Sequence, residues 1–416
     1  FSAWPGAVQA AFCSARRGAC ESSRLLRGGS RPGESPVCAH SERGTQTCRP
    51  GATVVAGVRG SDCRAGKRLA KRILASVLYY SGALTLLSRM TGKRLTIINF
   101  HRVVPPEEIA ASANYPMMVS PLQFEGVLRA LSRYAHPVRL SHAVDCLRGG
   151  RSLPRRSVAL TFDDGYADCY EYAYPALIKH GIPATVFLVT GLVDSGGSPW
   201  WDRAEVVLRK NRGRRISHDE CIPPSVNTAL NSLLQTGEDF AEKAASFIRR
   251  ELYDLDAGER MRLLDRLAGS LPEGYKPRSL MLTWEQVRLM RESVEYGSHT
   301  VSHRFLDSLC MPELRHEMNV SKSRIEEEVG TPCLGVAYPA GKVNRESVEV
   351  AQGAGYQWGV TTRFGGNGRS TDPMLLRRGD ARYFFVDNEF RLPVWMSRLV
   401  VQVCCLVLST GGVLFR

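Results

Sequence analysis

VALTFDDG, at positions 158–165, is the stretch of sequence that decides the fold. Its first five residues are mostly apolar and predict a buried strand at 158–162. Asp163, Asp164 and Gly165 follow at the end of that strand. Two adjacent carboxylates repel each other when they are partly buried, and a bound cation would relieve that repulsion. Asp-Asp-Gly is equally typical of an Asx-turn without any function, so this string alone predicts either half of a metal site or a turn.

Short apolar runs on both sides of this stretch alternate with helical patterns. Further strands are predicted at 95–100, 184–189, 294–297, 335–338 and 357–361. Helices are predicted at 120–134, 174–180, 283–292, 312–329 and 347–354. Residues 197–279 interrupt this alternation and predict a mostly helical insertion. Strands that alternate with helices predict an α/β fold with a mainly parallel sheet and right-handed crossovers.

Polar side chains follow four of the predicted strands. His101 follows the first strand, Asp163 and Asp164 follow the second, His299 follows the fourth, and Tyr338 ends the fifth. In parallel α/β folds, functional residues gather just beyond the carboxyl ends of the strands. We therefore expect these side chains to converge on one face of the sheet.

Two histidines complete the predicted metal site. His299 and His303 lie four residues apart in YGSHTVSH, a spacing that would place both imidazoles on one side of a helical turn. Together with one carboxylate of the Asp163–Asp164 pair they would form a three-ligand site with room for water, and the second carboxylate could accept a proton. The same set also matches the two-histidine, one-carboxylate triad of iron oxygenases, which offers no role for the second Asp.

Three short motifs carry a resemblance to a known family. TFDDG at 161–165, HTVSH at 299–303 and AYPAG at 337–341 resemble the first three motifs of the polysaccharide deacetylases, the NodB-homology family or carbohydrate esterase family 4. The resemblance runs over about residues 95–382. INFHRV, GIPATVFLVTG and PWWD are similar to the branch found with bacterial exopolysaccharide biosynthesis. The resemblance implies a distorted (β/α) barrel with fewer than eight regular units and a divalent metal ion, most commonly zinc.

The resemblance also implies a role for each motif residue. Asp163 would be the catalytic base, and Asp164, His299 and His303 would be the metal ligands. The backbone N–H of Tyr338 would stabilise the oxyanion.

Two family features are missing from this sequence. Many members carry an arginine in the third motif that braces the base, whereas Gly-Val-Ala at 335–337 occupies that approach here, so Arg377 or Arg378 would have to supply the brace. Many members also have a late Leu-x-His motif that provides the general acid, but no histidine follows His316. His101 is the candidate acid that remains, although a loop histidine that caps backbone carbonyls would look the same.

These residues predict a hydrolase that removes N-acetyl groups from the amino sugars of a polysaccharide, glycoconjugate or glycolipid. The same metal site would serve an O-acetyl esterase, and the absent late histidine would also suit a carbohydrate-binding pseudoenzyme. Tryptophan side chains could stack on sugar rings or belong to the core; they are Trp200, Trp201 and Trp284.

The ends of the chain differ from its body in charge. The net charge is +14, and residues 1–72 hold thirteen Lys and Arg against four Asp and Glu. We predict a disordered basic leader at 1–66, an apolar or amphipathic helix at 67–92, a catalytic domain at 93–395 and an apolar tail at 396–416. No interleaving of basic and aromatic residues indicates a nucleic-acid partner. The two apolar ends suit either burial in the fold or association with a membrane surface. A cytoplasmic or membrane-associated location is expected, with export if the natural start lies near residue 67.

Overall fold

The computed structural model describes residues 94–217, 222–237, 239–253, 255–269 and 280–381. The predicted leader at 1–66, helix at 67–92 and tail at 396–416 lie outside the described residues, as do the two ends of the predicted domain at 93–395. No described helix is both long enough and apolar enough to cross a bilayer.

The strands form one large parallel sheet and one small two-stranded pair. Their bounds are Leu95–Phe100 (β1), Arg102–Val103 (β2), Met118–Val119 (β3), His136–Pro137 (β4), Ser157–Phe162 (β5), Ala184–Leu188 (β6), Val294–Ser298 (β7), Gly335–Ala337 (β8), Trp358–Val360 (β9) and Gly379–Asp380 (β10). The order in the large sheet is β10-β1-β5-β6-β7-β8-β9, with β4 also paired to β5. All of these pairs are parallel. Parallel neighbours require crossover connections, which the helices provide.

Helices connect these strands and also fill the insertion. Their bounds are Pro106–Ala111 (α1), Pro121–Tyr134 (α2), Leu140–Arg148 (α3), Tyr174–His180 (α4), Thr190–Ser195 (α5), Trp200–Lys210 (α6), Pro224–Leu234 (α7), Phe240–Phe247 (α8), Ala257–Ala268 (α9), Trp284–Met290 (α10), Met311–Val329 (α11) and Arg345–Gly353 (α12). The sequence did not predict helices α1, α3 and α5 or the short strands β2, β3, β4 and β10.

The two edges of the large sheet are bridged by one late segment of chain. Leu376 pairs in parallel with Val360 of β9. Three residues later, Gly379 pairs with Ile98 of β1. The sheet therefore curls upon itself, and the architecture is the distorted (β/α) barrel that the sequence predicts.

Strand β1 shows how the curled sheet is packed. All six of its residues are buried. Leu95 and Ile97 belong to one core cluster, whereas Ile98 and Phe100 belong to another. A strand that is buried on both faces appears in the sequence as a continuous apolar run, as LTIINF does apart from its threonine and asparagine.

The insertion has a core of its own. Helices α6 to α9 pack around a cluster of buried side chains that is separate from the two barrel clusters and includes Leu208, Leu230, Leu252 and Leu263. Because the insertion packs around its own core, the strand–helix alternation can stop over 197–279 while β6 and β7, on either side of it, still pair in the sheet.

The predicted limits of helix α2 agree with the structure, in which the helix spans Pro121–Tyr134. Ser120 caps the helix, because its hydroxyl accepts from the Gln123 N–H and the Gln123 side chain accepts from the Ser120 N–H. Val127, Leu128 and Leu131 are buried, whereas Leu122 is 61% exposed. Leu122 is the second residue of the helix and lies on its solvent side.

Glu295 of β7 holds the start of helix α3 against the sheet. Its carboxylate accepts from the N–H groups of Leu140 at 3.1 Å and Ser141 at 3.4 Å, and from the Thr185 hydroxyl at 3.1 Å. The Ser141 hydroxyl donates to the other oxygen. An anion at a helix N-terminus satisfies free N–H groups and interacts favourably with the helix dipole.

We predict that Glu295→Ala lowers the free energy of unfolding by about 2 kcal/mol, because hydrogen bonds to a charged group are lost and their donors are left without a partner. Urea unfolding of the full chain measures the change. Glu292→Ala, whose side chain is 88% exposed, is the matched control and should change the free energy by less than about 0.5 kcal/mol. Equal effects of the two substitutions would contradict the role of Glu295.

Candidate metal centre and active site

The turn after β5 presents two buried carboxylates at the carboxyl end of the sheet. Asp163 is 3% exposed and Asp164 is 2% exposed. Asp164 has a φ of 74° and Gly165 a φ of 80°, so the chain leaves the strand through two left-handed residues. A side chain at position 165 would come within 2.8 Å of Leu188, which explains why glycine follows the two aspartates.

The carboxylate of Asp164 lies next to both histidines of the second motif. Its Oδ1 is 3.5 Å from Nε2 of His299 and 3.6 Å from Nε2 of His303. One ligand atom from each of the three residues lies within 4.8 Å of the others. The structure therefore brings together the three residues that the sequence predicts as ligands.

The chemistry of this donor set fits a divalent metal. Two atoms that each lie about 2.1 Å from one tetrahedral ion are about 3.4 Å apart, close to the separations seen here. Burial lowers the pKa of His299, and burial together with the charge of His299 lowers the pKa of His303 much further. Both rings are therefore neutral at physiological pH, which is the form that binds metals. Burial, followed by the charge of Asp163, raises the pKa of Asp164 well above its usual value, and a cation would offset that destabilisation.

Backbone contacts set the direction of the His299 ring. Its Nδ1 lies 2.7 Å from the carbonyl oxygen of Ala337, which can only accept, so Nδ1 carries the proton and Nε2 is left for an ion. Nδ1 of His303 is buried and makes no hydrogen bond to any described residue.

Asp163 is held by an arginine from the far end of the described chain. Arg378 donates from Nη1 to Oδ1 of Asp163 at 2.7 Å and from Nη2 to Oδ2 at 2.8 Å. Asn99 donates to Oδ2 at 3.0 Å. Burial acts to raise the pKa of Asp163, but the charge of Arg378 outweighs it and holds the pKa well below the usual value.

This contact decides between the two arginines considered from the sequence. Arg378 is buried and reaches Asp163, whereas Arg377 is exposed. Sequence reasoning missed Asn99, which was detectable as a polar side chain near the end of an otherwise apolar strand.

The spacing of the two histidines was predicted to reflect a helical turn, and this is wrong. Residues 299–303 are not helical, and Thr300 and His303 have φ values of 71° and 56°. Both rings still face Asp164, because a tight left-handed turn also brings residues four apart onto one side.

The predicted role of Tyr338 does not agree with the structure. Its backbone N–H donates to the carbonyl of Val360 at 3.2 Å, as part of the pairing between β8 and β9. It is thus not available to an oxyanion. Proline has no N–H, so the next donor in this turn belongs to Ala340, which has a φ of 53°.

His101 lies close to the predicted site, at the end of β1. Its charge acts on the pKa of both Asp163 and His303. The structure therefore brings His101 to the same face as the carboxylates and the histidine pair.

A buried polar network that the sequence did not predict holds Trp201, whose ring packs against His303. Trp201 donates from Nε1 to the Tyr166 hydroxyl at 2.8 Å, and Tyr166 donates to Asp202 at 2.6 Å. The guanidinium of Arg102 stacks on the Tyr166 ring at 4.8 Å and donates to Asp168 at 2.8 Å. Burial raises the pKa of Asp168 to about 6 despite this contact.

The three tryptophans considered as sugar-stacking residues have different environments. Trp201 is 6% exposed, and its ring lies 4.7 Å from that of His303, so it packs inside the site. Trp284 lies under the guanidinium of Arg324 at 5.1 Å. Trp200 lies under Arg260 at 4.2 Å and is partly exposed.

Comparison with known proteins places these motifs in a wider group. The family model described as polysaccharide deacetylase matches residues 150–359. A Bacillus subtilis protein named as a polysaccharide deacetylase, YxkH, is 24% identical over 224 residues, which are 54% of this chain and 50% of that protein. The poly-beta-1,6-N-acetyl-D-glucosamine N-deacetylase of Staphylococcus aureus is 41% identical over 76 residues, which are 18% of this chain and 26% of that enzyme. This chain thus spans about half the length of the first relative and about a quarter of the second.

Solved structures resemble this chain over most of their length. The deacetylase PplD of Streptococcus pyogenes, in complex with acetate, has a TM-score of 0.47 at 20% identity and covers 70% of this chain and 92% of its own. IcaB of Ammonifex degensii has a TM-score of 0.42 at 20% identity and covers 69% and 91%.

The match to the family model carries the assignment. It extends over half of the sequence and contains the turn with Asp163 and Asp164 as well as the loop with His299 and His303. The chain belongs to the polysaccharide deacetylase family.

Proposed function

We propose that this protein is a divalent-metal-dependent hydrolase that removes N-acetyl groups from amino sugars of a polysaccharide or glycoconjugate. One observation carries the proposal: the carboxylate of Asp163, paired with Arg378, precedes Asp164 at a buried cluster of metal-ligating atoms from Asp164, His299 and His303. Hydrolysis of an amide needs a polarised carbonyl and a base next to the attacking water, and this arrangement offers a place for both.

Asp164, His299 and His303 would hold the ion, and zinc is the metal that we assign to this set of two imidazoles and one carboxylate. When bound, such an ion polarises a carbonyl oxygen and lowers the pKa of a water molecule. The side chain of His303 is 9% exposed, against 3% for His299 and 2% for Asp164, so the open side of the cluster lies towards His303.

Asp163 is the group that we assign as the general base. The contacts with Arg378 stabilise its ionised form and hold its pKa below the usual value, and the ionised form is the one that can accept a proton. The paired contacts of Arg378 and the contact of Asn99 fix the plane of its carboxylate. The carboxylate of the proposed base is thus held in one orientation.

We assign His101 as the donor of the proton that the leaving amine requires. Its imidazole lies near both Asp163 and His303, as the effects on their pKa values indicate. A protonated imidazole within reach of the leaving nitrogen can act as a general acid.

A polymeric sugar substrate is supported by the aromatic side chains around the site. Trp200, Tyr253 and Phe305 are all partly exposed. Their rings follow one another at 5.5 Å and 5.1 Å, and Phe305 lies two residues after His303. Aromatic faces suit the apolar C–H faces of sugar rings. The staphylococcal relative is named as an enzyme of a β-1,6-linked N-acetylglucosamine polymer, so that polymer is the first substrate to test.

Removal of the metal should abolish acetate release. We expect the wild-type protein to release acetate from N-acetylglucosamine oligomers, to stop after treatment with a chelator, and to recover with Zn²⁺. His299→Ala should have lost its stoichiometric metal and should not recover, because only two ligands remain. Acetate and metal content are measured on a panel of β-1,6-linked, β-1,4-linked and O-acetylated glycans.

The exposed His142 provides the control, since His142→Ala should keep both metal and activity. Full metal content in His299→Ala would contradict the site assignment. Release from O-acetylated glycans alone would overturn the N-deacetylase assignment in favour of an esterase.

Asp163→Asn should retain the metal and lose about 10²–10⁴-fold in kcat, because asparagine keeps the shape of the side chain but cannot accept the proton. Metal content and acetate release are compared with those of Asp145→Asn, a change at an exposed position that should have no effect. A loss smaller than tenfold would exclude Asp163 as the base.

Arg378→Met should move the acidic limb of the pH profile upward. Activity that needs ionised Asp163 is present above its pKa and is lost as the pH falls through that pKa. Without Arg378, burial still acts to raise this pKa and the ion pair that lowers it is lost, so the loss should begin at least about one pH unit higher. The measurement is kcat/KM between pH 4 and 8. Arg377→Met, at the exposed neighbour, should keep the wild-type limb, and an unshifted limb in Arg378→Met would contradict the bracing role.

A further inference from the structure

The turn that carries both histidines is held in an unfavourable backbone conformation. Thr300 has a φ of 71° and His303 a φ of 56°, both in the left-handed region that favours glycine. For a β-branched residue such as Thr300 this region is a true outlier. Such a conformation persists only when the surrounding structure imposes it.

One side of the turn faces a buried carboxylate. Glu317 of helix α11 is 4% exposed and accepts from the N–H of Val301 at 2.8 Å and from the N–H of Ser302 at 2.9 Å. The Ser302 hydroxyl donates to its second oxygen. Successive N–H groups that follow a left-handed residue form a concave site for an anion. Here the chain's own glutamate fills that site.

The other side of the turn rests on the start of helix α5. The N–H of Thr190 donates to the carbonyl of Thr300 at 3.1 Å, and the N–H of Gly191 donates to the carbonyl of Val301 at 2.9 Å. A Cβ at position 191 would come within 2.7 Å of that same carbonyl oxygen, so no larger residue fits there. The turn is therefore clamped between α5 and α11, and Glu317 is the part of this clamp that a side-chain substitution can remove.

The clamped N–H groups lie between the two predicted metal ligands. Val301 and Ser302 occupy the middle of the segment that joins His299 to His303. The N–H of His303 also donates to the Thr300 hydroxyl at 3.0 Å, which ties the second ligand to the strained residue. If the turn relaxed to an ordinary φ at Thr300, the Nε2 atoms of His299 and His303 would no longer face Asp164 together.

We propose that Glu317 is a positioning residue of the metal centre, which holds the turn 299–303 in its left-handed form so that both imidazoles point at one ion. This inference rests on the proposed metal-binding function. It concerns the geometry of the site and not the reaction itself, so metal binding can test it without any substrate.

The test compares the affinity of the full chain for Co²⁺ and Zn²⁺ in competition with a chelator. Glu317→Ala should raise the metal Kd about 10- to 100-fold, as loss of a residue that orients a ligand does. It should also change the visible absorption spectrum of the Co²⁺ form. Glu317→Gln keeps one acceptor oxygen and should lie between wild type and alanine, with at least a threefold rise in Kd. Glu327→Ala is the matched control on the same helix, with a side chain 72% exposed, and should leave Kd unchanged.

Thermal melting of the metal-free proteins separates a positioning role from general destabilisation. A folded Glu317→Ala protein with a Kd within twofold of wild type would overturn the inference. Should the alanine variant fail to fold, a folded Glu317→Gln protein decides the matter: a Kd within twofold of wild type overturns the inference, and a rise of threefold or more supports it. A wild-type protein that binds no divalent metal would refute the proposed function itself, and this inference with it.

Discussion

Two adjacent carboxylates are buried at the end of one strand, and the rest of the site is arranged to keep them chemically different. Asp163 and Asp164 are each almost fully enclosed, and their charges repel. Arg378 offsets this repulsion for Asp163 by holding the pKa of Asp163 low. Burial and the charge of Asp163 raise the pKa of Asp164. Titratable pairs whose pKa values are pushed apart are typical of sites that divide two roles between them. One carboxylate is stabilised in its ionised form, as the proposed base requires, and the other would be stabilised by a bound cation.

The cation that stabilises Asp163 depends on closure of the barrel. Arg378 lies between Leu376, which pairs with β9, and Gly379, which pairs with β1. Its guanidinium crosses to the turn after β5, 215 positions away in the sequence. A buried carboxylate without this partner would be strongly destabilising. The segment that closes the sheet therefore also carries the cation that stabilises the ionised form of Asp163.

Much of this fold could be predicted from local pattern, because each buried parallel strand is an apolar run that ends in polar residues. The predictions that were wrong or left open are those that depend on partners distant in sequence. Arg377 and Arg378 both precede the two-residue strand β10, and only the contact of Arg378 with Asp163 identifies which of them faces inward. The N–H of Tyr338 was assigned to an oxyanion because the sequence does not show that β9 already accepts it. A spacing of four residues between His299 and His303 fits a helix and a left-handed turn equally well, and only contacts with α5 and α11 select the turn.

The helical insertion contributes buried side chains to the site. Trp201 donates to Tyr166, which follows the two aspartates by two residues, and its ring packs against His303 of the second motif. One side chain of the insertion therefore contacts one predicted metal ligand, His303, and a residue close in sequence to the other half of the site, Tyr166. Asp202 extends this link, because its charge acts on the pKa of Asp164. An insertion that only supplied substrate contacts would need none of these buried hydrogen bonds. The insertion and the barrel are thus joined beside the predicted metal centre, so a shift of α6 would alter the packing around His303.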